Sequence, residues 1–386
     1  MRIVHTSDWH AGRIWRSVNR LEELGIVLEN LGDFLEKERI DVLLLSGDIF
    51  DNGAPVAEAE RLVFRFLRRV GEAGTSTVAI AGNHDNPRRL EAWGTLAELV
   101  SVHAIPRPVP ADRGGIIDLQ TRSGERALIA AVPFASSAML VSALQLAQDE
   151  SQARQRYAES LKNIFQHLAG HFQRDAVNLM LAHTHLEGAV FSGSERRVHL
   201  GEEWAATPQA FPANAHYIAL GHIHKPQKVD ASPSPAFYAG SALQLDFGEI
   251  GEEKSFVLVD ARAGQPAHVE RVPYVGGLSL NDASGTLEEL ERKADRLKEM
   301  GWLRVTVKLA GPDSDVAGKV RRLLPNAVTI EAELLRSPEE IEVSRPPKGA
   351  SAKDLYIAYF RQKHGLKPEK ALLGAFEELR ESNEED

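Results

Sequence analysis

Five short apolar runs in this chain each stop at residues able to bind a metal ion, and this repeated punctuation constrains the fold more than any other feature. Residues 3–7 lead into Asp8, 42–46 into Gly47-Asp48, and 77–81 into Gly82-Asn83-His84. Residues 178–182 lead into His183, and 217–220 into Gly221-His222-Ile223-His224. Runs of this length read as buried strands. Helical patterns at 20–37 and at Ala57–Glu72 separate the first three, giving a βαβα start with covered sheet faces. Residues at the carboxyl ends of such strands converge on one rim of the sheet, where α/β folds place their sites.

Further strands are predicted at 127–132, 236–240, Ser255–Asp260 and 269–274, forming a second sheet packed on the first. The stretch 136–174, rich in Ala, Gln, Leu and Arg, reads as a helical insertion. The pattern then changes to helix (286–300), strand (Trp302–Leu309), helix (315–323) and strand (327–335). Pro338, Pro346, Pro347 and Gly349 mark a linker, followed by helices at Ala352–His364 and 368–381 and an acidic tail over 377–386. The expected architecture is α/β, a two-sheet sandwich flanked by helices over 1–275, then a small α+β module over 276–336. A linker at 337–350 leads to a C-terminal helical hairpin within 351–386.

The ligand-type residues form an ordered set: Asp8 and His10, Asp48, Asn83, His183, His222 and His224. In an extended segment residues i and i+2 point the same way, so Asp8 with His10, and His222 with His224, each read as half a site. Glycines 47, 82 and 221 let the backbone turn tightly beside them. The chain has no cysteine, so any metal must be held by nitrogen and oxygen, a mixture that suits Mn²⁺, Fe²⁺ or Zn²⁺. Seven ligands exceed what one ion needs, and two ions sharing Asp48 is the economical arrangement. Two ions ~3.5–4 Å apart can promote in-line attack on phosphorus while neutralising charge on the phosphate oxygens. His84, beside Asn83 but surplus to ligation, is placed to give a proton to the leaving oxygen.

Other features carry blander readings. His185 repeats the alternate-residue spacing after His183, but the default is that it is no ligand; His5 and the remaining histidines lack ligand spacing. Arg13, Arg16, Arg88 and Arg89 could touch phosphates, although surface solubility explains each of them. The stripes Leu62, Val63, Phe66, Leu67, Val70 and Leu90, Trp93, Leu96, Leu99 are expected in the core. The net charge of −10 argues against wholesale coating of nucleic acid. No apolar run is long enough for a membrane span and the start lacks a secretory core, so a cytoplasmic protein is expected.

The series D-x-H, G-D, G-N-H, H and G-H-x-H, in this order, resembles the calcineurin-like metallophosphoesterases. The segments HTSDWHAGR, LLLSGDIFD, IAGNHD, LGHIHKPQ and YAGSALQLDFGE are similar to those of the bacterial SbcD nucleases, over most of residues 1–274. That resemblance implies a Mn²⁺-dependent DNA nuclease, exonuclease on duplex ends and endonuclease on single strands or hairpins, serving double-strand break repair. It implies one ion held by Asp8, His10, Asp48 and His224, a second held by Asp48, Asn83, His183 and His222, and His84 as the acid. It also implies that 276–336 positions DNA, that the chain is a homodimer, and that the C-terminal helices bind an SbcC-type ATPase. Relatives carry a histidine where this chain has Asp51, so Asp51 and Asp85 are expected instead to orient ligand histidines from behind. Competing readings are a small-molecule phosphatase or cyclic-nucleotide phosphodiesterase, and a scaffold that tethers DNA ends without cutting them.

Overall fold

A strand covered on both sides has to be apolar at nearly every position, and the layers of this molecule show what covers each side. The computed structural model describes residues 1–136, 150–195, 205–335, 350–364 and 368–383. Its first sheet lines up β14 (His268–Pro273), β13 (Ser255–Asp260), β1 (Arg2–Thr6), β4 (Val42–Leu45), β5 (Ser76–Ile80) and β6 (Val102–Ile105). The last four run parallel, while β13 and β14 pair antiparallel beyond β1. Between β1 and β4, a short hairpin of β2 (Ile14–Trp15) and β3 (Val18–Asn19) stands apart.

The second sheet lines up β11 (Gln227–Lys228), β12 (Ala236–Tyr238), β10 (Tyr217–Gly221), β9 (Val177–His183), β8 (Arg126–Val132) and β7 (Ile116–Gln120). Its central strands are parallel and its edges antiparallel. Alternate residues serve different layers. Ile3, Leu44 and Val78 meet Ile129, Leu179 and Tyr217 between the sheets. Their neighbours Val4, Leu43 and Ala79 pack on the far side with Leu24 and Leu28 of the helix Leu21–Lys37, and with Val63 and Phe66 of the helix Ala57–Glu72. The outer face of the second sheet (Val132, Met180, Ile218) is covered by Tyr157, Leu161 and Phe165 of the helix Glu150–Ala169. The expected two-sheet sandwich between helices is therefore present.

Two expectations about its assembly need correction. The five ligand-bearing strands are divided, with β1, β4 and β5 in the first sheet and β9 and β10 in the second, so the site lies on a rim that both sheets share. Strands β13 and β14, expected in the second sheet, extend the first, with Ile3 opposite Val259. Phe256 to Val259 of β13 are buried on both faces, which erases the alternation that would reveal its sheet.

The chain divides into two compact units, Met1–Asn281 with Met300–Trp302, and Asp282–Glu299 with Leu303–Asp386. Strands β15 (Leu280–Gly285), β16 (Trp302–Leu309) and β17 (Ala327–Leu334) form a three-stranded sheet, and β15 has no counterpart among the strands expected from the sequence. The helix expected over 286–300 starts with a capping box of Thr286 and Glu289 and breaks at Lys293 into Leu287–Arg292 and Ala294–Lys298. The helices Ala352–His364 and Lys370–Asn383 meet through stacked rings of Tyr356 and Phe376, 4.2 Å apart, and a 2.8 Å ion pair of Lys353 with Glu377. Residues 137–149 of the insertion, 337–349 of the linker and 384–386 of the tail lie outside the described residues.

The first apolar stripe is core, with Val63, Phe66, Leu67 and Val70 buried. The second is core only in part, because its helix Pro87–Ala97 lies against the edge strand β6. Leu90 is buried, whereas Leu96 is 71% and Leu99 82% exposed. Among the described residues no helix is long and apolar enough to cross a membrane.

Candidate metal centre

Three of the five ligand segments leave their strands through turns that side-chain-bearing residues rarely adopt. Asp8 (φ 50°), His10 (46°), Asp48 (48°) and His222 (101°) all have positive φ. The alternation of an extended strand is therefore not what aims Asp8 with His10 or His222 with His224; left-handed turns do it. Such backbone costs roughly 1–3 kcal/mol per residue and persists only where surroundings impose it. Here the imposition is a ladder continuing past the strands, Asp8 N to Gly47 O, His10 N to Asp48 O and Ala11 N to Ile49 O, each 3.0 Å. The His222 amide donates to Asp8 Oδ1 at 3.1 Å. At Gly47 (φ 92°) a Cβ would collide with His183 Nδ1 and stand 2.9 Å from the Gly82 Cα, so the loops after β4, β5 and β9 can meet only through glycine.

The structure brings all seven proposed ligands together. His10 Nε2 is 3.1 Å from His224 Nε2 and 3.8 Å from Asp48 Oδ2. His183 Nε2 is 3.5 Å from Asp48 Oδ2 and 3.0 Å from Asn83 Oδ1, and His222 Nδ1 is 2.9 Å from the same Asn83 oxygen. Ligand atoms of Asp8, His10 and His224 lie within 4.8 Å of one another, as do those of Asp8, Asp48 and His183 and, at the mouth, those of His10, Asp48 and His84. Apart from half-buried Asn83, the seven proposed ligands are 6% exposed or less.

These spacings fit metal ligation. His183 Nδ1 lies 2.7 Å from the Ser46 carbonyl, which can only accept, so Nδ1 carries a proton and Nε2 is the atom turned towards the Asn83 oxygen. Two lone pairs 3.0 Å apart repel unless a cation or a proton lies between them. Ligand atoms bound to one ion at ~2.1 Å and roughly at right angles stand about 3 Å apart, as these do. The electrostatics point the same way. Burial, with the nearby Asp48 charge, pushes the Asp8 carboxyl up to about 6 against the pull of His183 and His224. Asp48, despite burial, is held well below the carboxylate range by His183, and His183, despite burial, is lifted to about 9 by Asp48 and Asp8. Burial pushes His10 down to about 4. A buried pair of carboxylates that raises a neighbouring imidazole in this way is a site short of positive charge.

His84 sits at the mouth, its side chain 10% exposed, with Nε2 4.0 Å from Asp48 Oδ2. Its Nδ1 is 2.7 Å from the Asp51 carbonyl, which makes Nδ1 the donor and turns Nε2 towards the cluster. The Asp51 carboxylate is 3.4 Å from His10 Nδ1 and 3.3 Å from Arg13, so one residue faces a proposed ligand and the proposed acid. Asp85 touches no ligand ring; it accepts from the amides of Gly82, Ile49 and Phe50 and pins the two turns together. The His185 ring centre is 6.4 Å from that of His222 and 4.8 Å from Phe191, and it does not join the cluster. Arg16 pairs with Asp246 at 3.8 Å and Arg89 with Glu60 at 2.7 Å, while Arg88 is exposed.

Sequence reasoning missed the residues behind His224. Its Nδ1 meets Ser194 Oγ at 2.5 Å, and that hydroxyl reaches Glu249. Lys254 Nζ pairs with Glu249 at 2.6 Å, and Glu195 accepts the His224 amide at 3.1 Å. Glu249 lies in the segment YAGSALQLDFGE, but nothing in its spacing distinguishes it from a surface acid.

With this geometry established, likeness to other proteins becomes informative. The family model for calcineurin-like phosphoesterases matches residues 1–226. The D component of the nuclease SbcCD from Bacillus subtilis (strain 168) is 31% identical over 396 aligned residues, covering 100% of this chain and 99% of that protein. Its counterpart from Rhodobacter capsulatus is 33% identical over 77% of this chain and 76% of its own length. That from Escherichia coli (strain K12) is 28% identical over 88% and 86%.

Proposed function

This chain belongs to the calcineurin-like phosphoesterase family and within it to the SbcD nucleases, and from that premise we propose that it cuts DNA phosphodiesters at a centre of two Mn²⁺ ions. The observation that carries this reading is the convergence of seven nitrogen and oxygen ligands on a rim shared by two sheets, with their ligating atoms about 3 Å apart and buried carboxylates left short of positive charge. Likeness to SbcD nucleases along the whole chain, well past residue 226, supports DNA over a small phosphoester as substrate.

In this proposal Asp8, His10, Asp48 and His224 hold one ion and Asp48, Asn83, His183 and His222 the other. Ions held there would supply charge neutralisation at the scissile phosphate and a lowered pKa for the attacking water. His84, with Nδ1–H fixed on the Asp51 carbonyl, presents Nε2 to the leaving oxygen; in its doubly protonated form it gives up the Nε2 proton there and is left as the neutral Nδ1–H ring. Asp51 keeps His10 and His84 in register, and Asp85 keeps the turns after β4 and β5 closed. Residues 276–336 position DNA, 351–386 engage an SbcC-type ATPase, and two copies form a homodimer that acts as exonuclease and endonuclease in break repair.

Purified chain incubated with Mn²⁺ and end-labelled duplex, alone and with its ATPase partner, should shorten the duplex. Metal-loaded protein that cleaves phosphomonoesters but leaves DNA intact would replace the nuclease reading with a phosphatase one.

A further inference from the structure

Behind His224 lies a connected set of side chains that neither ligation nor proton transfer uses. Ser194 Oγ donates to Glu249 Oε1, so its oxygen is left to accept the His224 Nδ1 proton at 2.5 Å. Glu249 Oε2 accepts from the Leu245 amide at 2.9 Å and pairs with Lys254 Nζ at 2.6 Å. Lys254 donates in turn to the His224 carbonyl at 2.9 Å and to Glu252 at 3.0 Å, while Glu195 takes the His224 amide at 3.1 Å. One residue thus has its ring nitrogen, amide and carbonyl all held by a single charged group of neighbours.

Stability alone explains this poorly. Glu249 is 0% exposed and Lys254 8%, and a buried ion pair commonly recovers little more than its desolvation cost. What the pair does achieve is orientation. With Nδ1 committed to Ser194, the His224 ring must carry its lone pair on Nε2, the atom 3.1 Å from His10 Nε2. His183 obtains the same result from a neutral carbonyl, whereas His224 has a carboxylate one hydroxyl away.

We propose that Ser194 and Glu249 are positioning residues that act through His224, fixing its ring and keeping a negative charge behind it, so that the ion held by Asp8, His10, Asp48 and His224 is the more tightly bound of the two. This rests on the two-ion reading above. Partners that orient a ligand histidine in this way typically contribute 10- to 100-fold in metal affinity.

The test is a Mn²⁺ titration of the full chain by calorimetry, with electron paramagnetic resonance of the bound ions. Ser194→Ala cuts the link to His224 but leaves Glu249 paired with Lys254, and Glu249→Gln removes the charge itself. Ser194→Ala should weaken one ion by ~10- to 100-fold, leave the other unchanged, and melt in EDTA near the wild-type temperature. Ser194→Thr, which keeps the hydroxyl, should restore the affinity. Wild-type affinity for both ions in Ser194→Ala overturns the proposal, as does equal weakening of both. Failure of the wild-type chain to bind Mn²⁺ at all would instead remove the two-ion reading on which the proposal stands.

Discussion

The two proposed halves of the metal centre are anchored by different kinds of partner. On the side of His10 and His224 the anchors are charged side chains, Asp51 at 3.4 Å from His10 and Glu249 reaching His224 through Ser194. On the side of His183 the anchor belongs to the backbone, the Ser46 carbonyl at 2.7 Å from its Nδ1. Side-chain anchors can be removed singly without disturbing the fold, whereas backbone anchors yield only when a turn is altered. The halves should therefore respond to different mutations.

The largest effect should come from the residue that abolishes the distinction. Asp48 approaches His10 and His183 alike, and Asp48→Asn should weaken both ions and lower DNA cleavage on the order of 10³-fold or more. Loss of one ion alone would show that Asp48 is not shared. His84→Ala should lower cleavage by ~10²–10⁴-fold while both ions bind as before, since the proposal makes His84 the acid and not a ligand. A weaker ion in that variant would make His84 a ligand.

Smaller effects sharpen the backbone side. Gly47→Ala puts a Cβ against His183 Nδ1 at a positive φ, and should cost roughly 1–3 kcal/mol in a denaturant titration with EDTA present. Unchanged stability would mean that this turn relaxes freely. Beneath Ser46, His5 Nε2 is 2.6 Å from the Ser46 hydroxyl and Nδ1 is 2.8 Å from Tyr217. Burial pushes the His5 imidazole from its ordinary 6.5 down to about 3. Between those values the unfolded chain takes up a proton that the folded one refuses, so folding stability falls as pH drops through that window. The slope His5 contributes is at most ~1.4 kcal/mol per pH unit, and His5→Gln should flatten the measured dependence by up to that amount. An unaltered slope would mean that His5 does not stay neutral when folded.

The ligand strands were legible because each carries two signals at once, an apolar run that makes it a buried strand and a metal-binding residue where the run stops. Strands β1, β4, β5, β9 and β10 accordingly fall within a residue or two of their predicted limits. The partition into sheets was not legible, since a strand such as β13, buried on both faces, shows no face to read. Strand β15 was missed because LNDASG offers only Leu280, Ala283 and Gly285 to the interior and resembles a loop. The left-handed turns at Asp8, His10, Asp48 and His222 were invisible for a related reason: aspartate and histidine do not advertise positive φ as glycine does. Ser194, Glu249 and Lys254 derive their significance from burial beside His224, and burial of a charged residue is a property of the folded chain.

The central claim is a binuclear centre at the meeting of the two sheets. Anomalous scattering at the manganese edge, from a crystal soaked in Mn²⁺, tests it most directly. Two peaks ~3.5–4 Å apart are predicted, one among Asp8, His10, Asp48 and His224 and one among Asp48, Asn83, His183 and His222. A single peak at saturating Mn²⁺, or peaks remote from these side chains, would contradict it.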